Sequence, residues 1–460
     1  MNYQEFLKSK QHIGIDFGIE PTEEISGMID FQKYIGDKMI RKGRCAAFVD
    51  TGLGKTLIEL YCAVNYQKYT GKPVLIITPL AVAFQFIVEA KKFGIENVTY
   101  SKDGKINSKI VICNYERIEK FNPESFDCVI LDESSILKNF EGAIKSQITT
   151  FLRKVKYRFL FTATPSPNDF TELGTSSEAL GYMGYMDMLS KFFKNNNNNA
   201  IGSQNCSRAG DEWYLKPHAE NDFWKFISSW SISVKKPSDI GFSDDRYVLP
   251  ELIENYNIVK NNNLSTINGQ TLLFNFPANN FRDIKTEIRN TINERCEKAV
   301  ELANKHEVSV YWVNLNDESR IISKLDKTST EILGSMDIDE KEDILINFSN
   351  GSIKKLITKS SMTAFGLNWQ HCNHCVYFPT FSFERYYQSI RRFWRFGQKR
   401  SVIVDNVLSD GQTKFIEAIQ AKKNKSITMF ESLIKNSNSS YDQSIVKFEN
   451  KILLPNFLGV

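Results

Sequence analysis

The chain has 460 residues, a formal net charge of +4, and 42% apolar and 24% charged residues. This length predicts two or three domains with full cores, in a composition ordinary for a soluble globular protein apart from some excess of Phe and Asn. No run is long and apolar enough to span a membrane, and so small a charge does not argue by itself for a nucleic-acid partner.

The opening MNYQEFLKSKQ has no apolar segment of signal type, so a cytoplasmic protein is expected. Cys45, Cys62, Cys113, Cys128, Cys206, Cys296, Cys372 and Cys375 are mostly scattered, several in strand-like apolar runs, and read as reduced thiols. HIGIDFG (His12 to Gly18) is a short edge strand or a loop. FQKYIGDKMIRKG (Phe31 to Gly43) has apolar residues at helical spacing. Its Gln32 carries a donor and acceptors that could read an adenine edge; the plainer alternative is an exposed polar residue on a helix.

The chain then runs from an apolar strand, Ala46 to Val49, through DTGLGKT (Asp50 to Thr56) into a further apolar run, Leu57 to Val64. That order predicts strand, glycine turn and helix. Gly52 and Gly54 let the amides of Thr51 to Gly54, Leu53 included, curl inward around a phosphate, and the helix start adds its dipole. Lys55 supplies a charge for the terminal phosphates of ATP, and Thr56 a hydroxyl for Mg²⁺. Val49 stands where the strict pattern has its first glycine, so an ordinary strand-turn-helix with a chance GKT is the alternative.

VLIITP (Val74 to Pro79), KIVICNYE (Lys109 to Glu116), FDCVILDESS (Phe126 to Ser135) and YRFLFTATPSPND (Tyr157 to Asp169) each contain an apolar strand of parallel-core type. Asp132 and Glu133 fall at the carboxyl end of the third of these, where open parallel sheets place ligands. Asp132 would hold Mg²⁺ and Glu133 would polarise an attacking water, although acids also cap strands in many loops. Thr162 and Thr164 are placed to sense the phosphate end and couple it to the rest of the molecule. Together these elements predict an α/β, RecA-like first lobe with a parallel sheet over residues 1–170.

Residues 171–250 break that rhythm and read as a mostly helical insert, with Asn195 to Asn199 an exposed tip. EALGYMGYMDMLSKFF and NDFWKFISSWSISVKK are aromatic-rich and read as helical. Trp213, Trp224 and Trp230 could stack on bases, but core packing is the commoner fate of such residues. LPELIENYNIVK (Leu249 to Lys260) reads as a strand leading out of the insert, and 251–290 as linker and second small insert. From 291 to 435 the strand-helix alternation resumes: a helix over 287–304, a strand at Val308 to Asn316, a helix near 317–325, then TEILGSM, KEDILINFSNG and KKLITKSS. With no phosphate loop of its own, this series reads as a second RecA-like lobe that completes the site.

His371-Cys372-x-His374-Cys375 invites a zinc reading, but four ligands from so short a run are geometrically awkward and no second cluster accompanies them. RYYQSIRRFWRFGQKR (Arg385 to Arg400) is the densest basic segment. Gln388, Arg392 and Arg395 fall at i, i+4 and i+7, one face of a helix, where two guanidiniums can grip a phosphate. Arg391 and Lys399, off that face, read as solvated charges or backbone contacts to nucleic acid. A helix is expected over Thr413 to Lys435, and 436–460 as a partly disordered tail.

With these segments in hand the chain resembles the superfamily 2 helicases, and within them the Swi/Snf-type DNA translocases, from about Phe31 to Lys435. Phe31-Gln32 resembles the adenine-reading Q motif, and VDTGLGKT motif I in a form that does not require the first glycine. Ile77 to Pro79 looks like motif Ia, Asn114 to Glu116 like the next nucleic-acid loop, and DESS like the DEAH box with Ser134-Ser135 where Ala-His is usual. Thr162 to Thr164 looks like motif III, FGLNWQHCNHCV like motif V and QSIRRFWRFGQ like motif VI. Lys138-Asn139 after the acid pair, Phe396-Gly397-Gln398 at the close of motif VI, and the long insert point to the Swi/Snf branch. The compact size, the DESS variant and the SPND stretch look most like phage-encoded members.

The resemblance implies a motor on duplex DNA. Lys55, Thr56 and Asp132 would hold ATP and Mg²⁺, Gln32 and Gln388 would line the nucleotide, and Glu133 would orient water. Arg392 and Arg395 would arrive from lobe two. Thr78, Asn114 and the loop containing Ser360 and Ser361 before Gly366 would grip phosphates with little sequence preference, and Gly366 would share in coupling. A monomer is usual for the family, and a protein partner is open. The alternatives are a nucleotide-dependent DNA clamp or adaptor that does not move, and an RNA-dependent helicase.

Overall fold

The structure is a computed structural model and describes residues 16–79, 82–138, 142–195, 213–245, 247–260, 266–267, 270–271, 281–362 and 368–445. The first lobe is built on β1 (Arg44–Val49), β2 (Val74–Thr78), β3 (Val98–Tyr100), β4 (Ile110–Asn114), β5 (Cys128–Leu131), β6 (Tyr157–Thr162) and, after a long excursion, β9 (Ser231–Val234). They form one parallel sheet in the order β3-β4-β2-β5-β6-β1-β9. The central strands are apolar on both faces because both faces are covered. Along β1, Ala46 and Phe48 enter one core while Cys45, Ala47 and Val49 enter the other, the alternation a strand imposes. Helices α1 (Asp30–Lys42), α2 (Lys55–Thr70) and α3 (Ala83–Lys92) fill one face through Ile35, Ile58 and Phe86. Helix α4 (Ala143–Lys154) covers the other with Ile148 and Leu152.

The insert does not stand apart from this lobe. Helices α5 (Leu173–Leu180), α6 (Tyr185–Phe192) and α7 (Glu220–Ser228), with the antiparallel pair β7 (Phe193–Asn195) and β8 (Trp213–Leu215), add a layer to the core of Ile148 and Leu152. Trp224 and Trp230 are buried in it and Trp213 packs against it, so core packing accounts for all three. The core of the first lobe thus continues past residue 170 into these helices. In SWSISVKK the helical reading also gives way at Ser231, where Ser231 to Val234 pair in parallel with Ala46 to Val49 as the outer strand of the sheet. Residues 16–18 form no strand; Phe17, Gly18 and Ile19 donate their amides to the last carbonyls of α1. His12 to Ile15 and the Asn196 to Asn199 part of the expected tip lie outside the described residues.

The second lobe is a parallel sheet in the order β10-β17-β16-β13-β15-β14. Its strands are β10 (Leu252–Val259), β13 (Ser309–Val313), β14 (Ser329–Glu331), β15 (Lys355–Lys359), β16 (His374–Tyr377) and β17 (Val402–Ser409); β11 (Thr266–Ile267) and β12 (Gln270–Thr271) form a separate pair. Because β10 pairs along its whole length with β17, the lobe begins near 252 and not at the expected 291. The helix expected over 287–304 is two, α8 (Phe281–Asn290) and α9 (Ile292–Ala303), broken at Thr291. Helices α10 (Asn316–Leu325), α11 (Ile338–Ser349) and α12 (Phe383–Ile390) follow their strands.

The last helix, α13 (Thr413–Ile445), runs ten residues beyond the expected end; residues 446–460 lie outside the described part. It starts on lobe two, where Phe415 meets Phe381 at 4.3 Å between ring centroids. It ends on lobe one, where Met429, Phe430 and Leu433 join the core of Trp224 and Trp230. No described helix is long and apolar enough to cross a membrane.

Candidate active site

The carboxyl ends of β1 and β5 and the turn after α12 meet between the lobes. Gly52 and Gly54 have φ of 87° and 83°, the left-handed region that a side chain disfavours. A Cβ on Gly54 would lie 2.1 Å from Gln32 Nε2, and one on Gly52 would meet the Phe396 ring at 3.0 Å. Gln32 is buried and braces this loop: its Nε2 donates to the Leu53 carbonyl at 2.9 Å and its Oε1 accepts from the Ile29 amide at 3.2 Å. Only one N–H and one lone pair of that amide remain for an adenine edge. Lys55 Nζ donates to the Val49 carbonyl at 3.0 Å. Burial pushes its ammonium pKa down, against the pull of Glu133, Asp50, Asp132 and Glu59. Thr56 follows in the first turn of α2.

Asp132 is held at both oxygens, accepting from Thr78 Oγ1 at 2.8 Å and from the Glu133 amide at 2.9 Å. Glu133 has φ 48°, a strained value for a residue with a side chain. Its Oε1 accepts from Thr162 Oγ1 at 2.7 Å and Ser135 Oγ at 3.1 Å, and Thr162 Oγ1 in turn accepts the Thr164 amide at 3.0 Å. Thr162 is thus wired to Glu133, and Thr164 to Thr162 through its amide. Burial raises the pKa of both acids. A pocket whose acids are short of positive charge, beside a threonine hydroxyl, suits a hard divalent cation held by Thr56 and Asp132.

Lobe two answers with the segment after α12. The helix ends at Ile390 and the chain continues in irregular turns, so the expected helical face through Arg392 and Arg395 is corrected. Gln388, still on the helix, is half-buried. Arg391, read from the sequence as a solvated charge, is 2% exposed and grips the phosphate loop. Its Nη2 lies 2.6 Å from Asp50 Oδ2 and 3.1 Å from the Thr51 carbonyl, its Nε donates to Thr51 Oγ1 at 2.5 Å, and Tyr387 donates its hydroxyl to Asp50. The sequence signal was the Arg391-Arg392 doublet; the helical wheel misplaced it because the helix stops. Arg392 is turned to the acids: burial and Arg395 push its pKa down to about 10, while Glu133 and Asp132 pull it up. Arg395, also pushed down to about 10 by burial, has its Cβ 3.8 Å from where a Gly52 Cβ would sit. Lys138 pairs with Glu384 across the same interface.

The expected nucleic-acid contacts fare differently. Thr78 and Asn114 are buried, Thr78 donating to Asp132 and Asn114 bonded to Glu116 and Tyr100, so neither side chain is offered to a strand. Ser360 is buried beside Tyr377. Gly366 and the side chain of Ser361 lie outside the described part. The zinc reading also dissolves: Cys372 and Cys375 are core residues, and His371 meets Phe348 edge-on at 4.9 Å. His374 instead joins Ser309 at 2.8 Å and Asp405 at 3.0 Å, with His306 stacked on it. A cavity of about 520 Å³ lined by Asp50, Thr164, Tyr247, Tyr387 and Phe430 lies between the lobes. Lys55 and Glu133 are not in its walls, so it neighbours the site rather than forming it.

A DEAD/DEAH box helicase model matches residues 30–173, and a helicase conserved C-terminal domain model matches 288–397. The mouse DNA annealing helicase and endonuclease ZRANB3 is 28% identical over 192 residues, 38% of this chain and 18% of that protein. A SWI/SNF-related matrix-associated actin-dependent regulator of chromatin subfamily A-like protein 1 from Xenopus tropicalis is 26% identical over 166 residues, 34% of this chain and 17% of that protein. The chain thus spans under a fifth of the curated relatives it matches. The structure of S. cerevisiae Dbp5 bound to Gle1 aligns over 85% of both chains with a TM-score of 0.50 and 12% identity, which shows a shared fold. The Sulfolobus solfataricus SWI2/SNF2 ATPase core in complex with dsDNA aligns over 91% of this chain and 98% of that one, with a TM-score of 0.40 and 18% identity. Two family models that together cover more than half of the chain, in the order of the two lobes, place it among the superfamily 2 helicases, with similarity to SWI/SNF-related members over about a third of its length.

Proposed function

We propose that the chain is a DNA-dependent ATPase that steps along duplex DNA. The observation that supports this most is the meeting of the two lobes on one loop: Arg391 of lobe two holds Asp50 and Thr51, and Arg392 faces Asp132 and Glu133. Lys55 and the amides of the loop bind the ATP phosphates. Thr56 and Asp132 would hold Mg²⁺, which when bound offsets charge on the phosphate oxygens. Glu133 orients the attacking water and accepts its proton, and Thr162 reports that event to the sheet. Arg392 and Arg395 lie against the charge that develops on the transferred group. Loss of the phosphate loosens the shared interface, so the lobes shift relative to one another.

Grip on DNA near Thr78 and Asn114 falls to main-chain amides, because their side chains face inward. The choice of DNA also draws on the named activities of the relatives. Monomeric action and a cytoplasmic location belong to the same proposal. The deciding experiment compares ATP hydrolysis with duplex DNA, single-stranded DNA and RNA, alongside ATP-dependent displacement of a triplex-forming strand. Duplex DNA should stimulate most, and the third strand should be displaced only with ATP. Stimulation by RNA alone would indicate an RNA helicase, and hydrolysis without displacement a clamp. Lys55→Ala and Glu133→Gln should abolish turnover. Arg395→Ala should bind ATP normally and turn it over about 10³-fold more slowly.

A further inference from the structure

Glu59 lies one helical turn after Lys55 on α2, at i+4 and therefore on the same face of the helix. It is 0% exposed, and neither carboxylate oxygen has a hydrogen-bond donor among the described residues. Asp132, Lys55 and Glu133 of the candidate site lie close enough to act on its charge, and Asp132 close enough to share a hydrogen bond with it. Two carboxylates cannot donate to one another. Glu59 and Asp132 side by side in a buried place therefore need a proton or a cation between them. Asp50, the other acid near Lys55, is already answered by Arg391. Lys55 is left among Glu59, Asp132 and Glu133, and Arg392 acts on the last two.

We propose that Glu59 is a third carboxyl of the divalent-metal site, accepting hydrogen bonds from water on a cation held by Thr56 and Asp132. The proposal rests on the ATPase reading. A magnesium-type ion keeps several waters when bound through one or two protein oxygens. Those waters need acceptors, and Glu59, fully buried beside Asp132 and three residues after Thr56 on α2, offers carboxylate oxygens for them. A purely structural Glu59 predicts something else: an ionisable group without donors in a helix core is replaceable by an apolar one without loss.

The test uses the full chain with saturating ADP and Mn²⁺, whose unbound fraction is read by electron paramagnetic resonance. A fluorescent ADP measures nucleotide affinity in EDTA, and a thermal melt checks folding. Glu59→Gln and Glu59→Leu should weaken Mn²⁺ binding about ten- to a hundredfold, as loss of an outer-shell partner does, with metal-free ADP affinity and melting temperature held. Unchanged Mn²⁺ affinity in both variants would overturn the assignment. So would a fall in metal-free ADP affinity equal to the fall in Mn²⁺ affinity, which marks a packing role. If the unsubstituted chain fails to hold ADP at all, the ATPase reading itself is lost and this assignment with it.

Discussion

Gln32 has its amide committed at both ends, to Leu53 on the phosphate loop and to Ile29 at the start of α1. If bracing is its main work, Gln32→Ala should weaken ATP and GTP binding by the same factor. If it reads adenine, ATP should suffer at least tenfold more than GTP; paired titrations separate the two. Arg391 carries a sharper consequence. Removing one partner of a buried ion pair typically costs about 3–5 kcal/mol, because the other charge is stranded. Arg391→Ala should therefore lower stability in urea by about 3 kcal/mol, and Asp50→Asn in the same chain should recover much of it. At this scale the sequence was legible where a local pattern forces geometry: glycines before a lysine, or acids after an apolar strand. It was not legible for Thr78 and Asn114. A polar residue ending an apolar strand turns either way, and both turn in, toward Asp132 and Glu116.

Among the elements, α13 has the most unusual task. Lys425 pairs with Asp169 at 2.5 Å, Lys423 with Glu254 at 2.7 Å, and Lys422 donates to the Phe381 carbonyl at 3.0 Å. Its far end buries Leu433, with Ser228 of α7 donating to the Leu433 carbonyl at 3.4 Å. Leu433→Ala should cost about 2–5 kcal/mol, the usual range for a large-to-small core change. That loss should appear in the unfolding of lobe one, read by the fluorescence of Trp224 and Trp230, although the residue follows lobe two in the chain. Helical periodicity predicted this helix, but periodicity does not name the partner of an apolar stripe. The same limit hid β9. Ser231-Ile232-Ser233-Val234 alternates as an outer strand does, yet its pairing with β1 crosses nearly two hundred residues and leaves no local mark. The six strands of the two lobes that read as apolar runs bounded by polar turns were found because full burial demands that composition.

For the molecule as a whole, pH should act on lobe two through its imidazoles. Burial, and then the His374 charge, lowers the His306 pKa from the ordinary 6.5; burial, and then Arg400, lowers that of His371. Imidazoles depressed in this way stabilise the fold while neutral. Their contribution is full above pH 6.5 and drains as pH falls through the folded values. Thermal melts from about pH 7.5 down to about pH 5 should show falling stability, and a His306→Asn, His371→Asn chain should show a flatter slope over that window. The two-lobe architecture was legible because strand-helix alternation occurs twice and only the first series carries a phosphate loop. The division between the lobes was not, since chain order and spatial membership part company at both ends of the insert.

That parting bears on how the polypeptide is made. Met429, Phe430 and Leu433 are translated after all of lobe two, yet they seal the surface laid down by Trp224 and Trp230. During synthesis the earlier half must wait, with an apolar patch bare, for some two hundred further codons to be read, the interval in which chaperones capture nascent chains. Ribosomes halted just before Met429 should therefore hold a nascent chain that protease trims readily within α7, and ribosomes halted well past Leu433 one that resists.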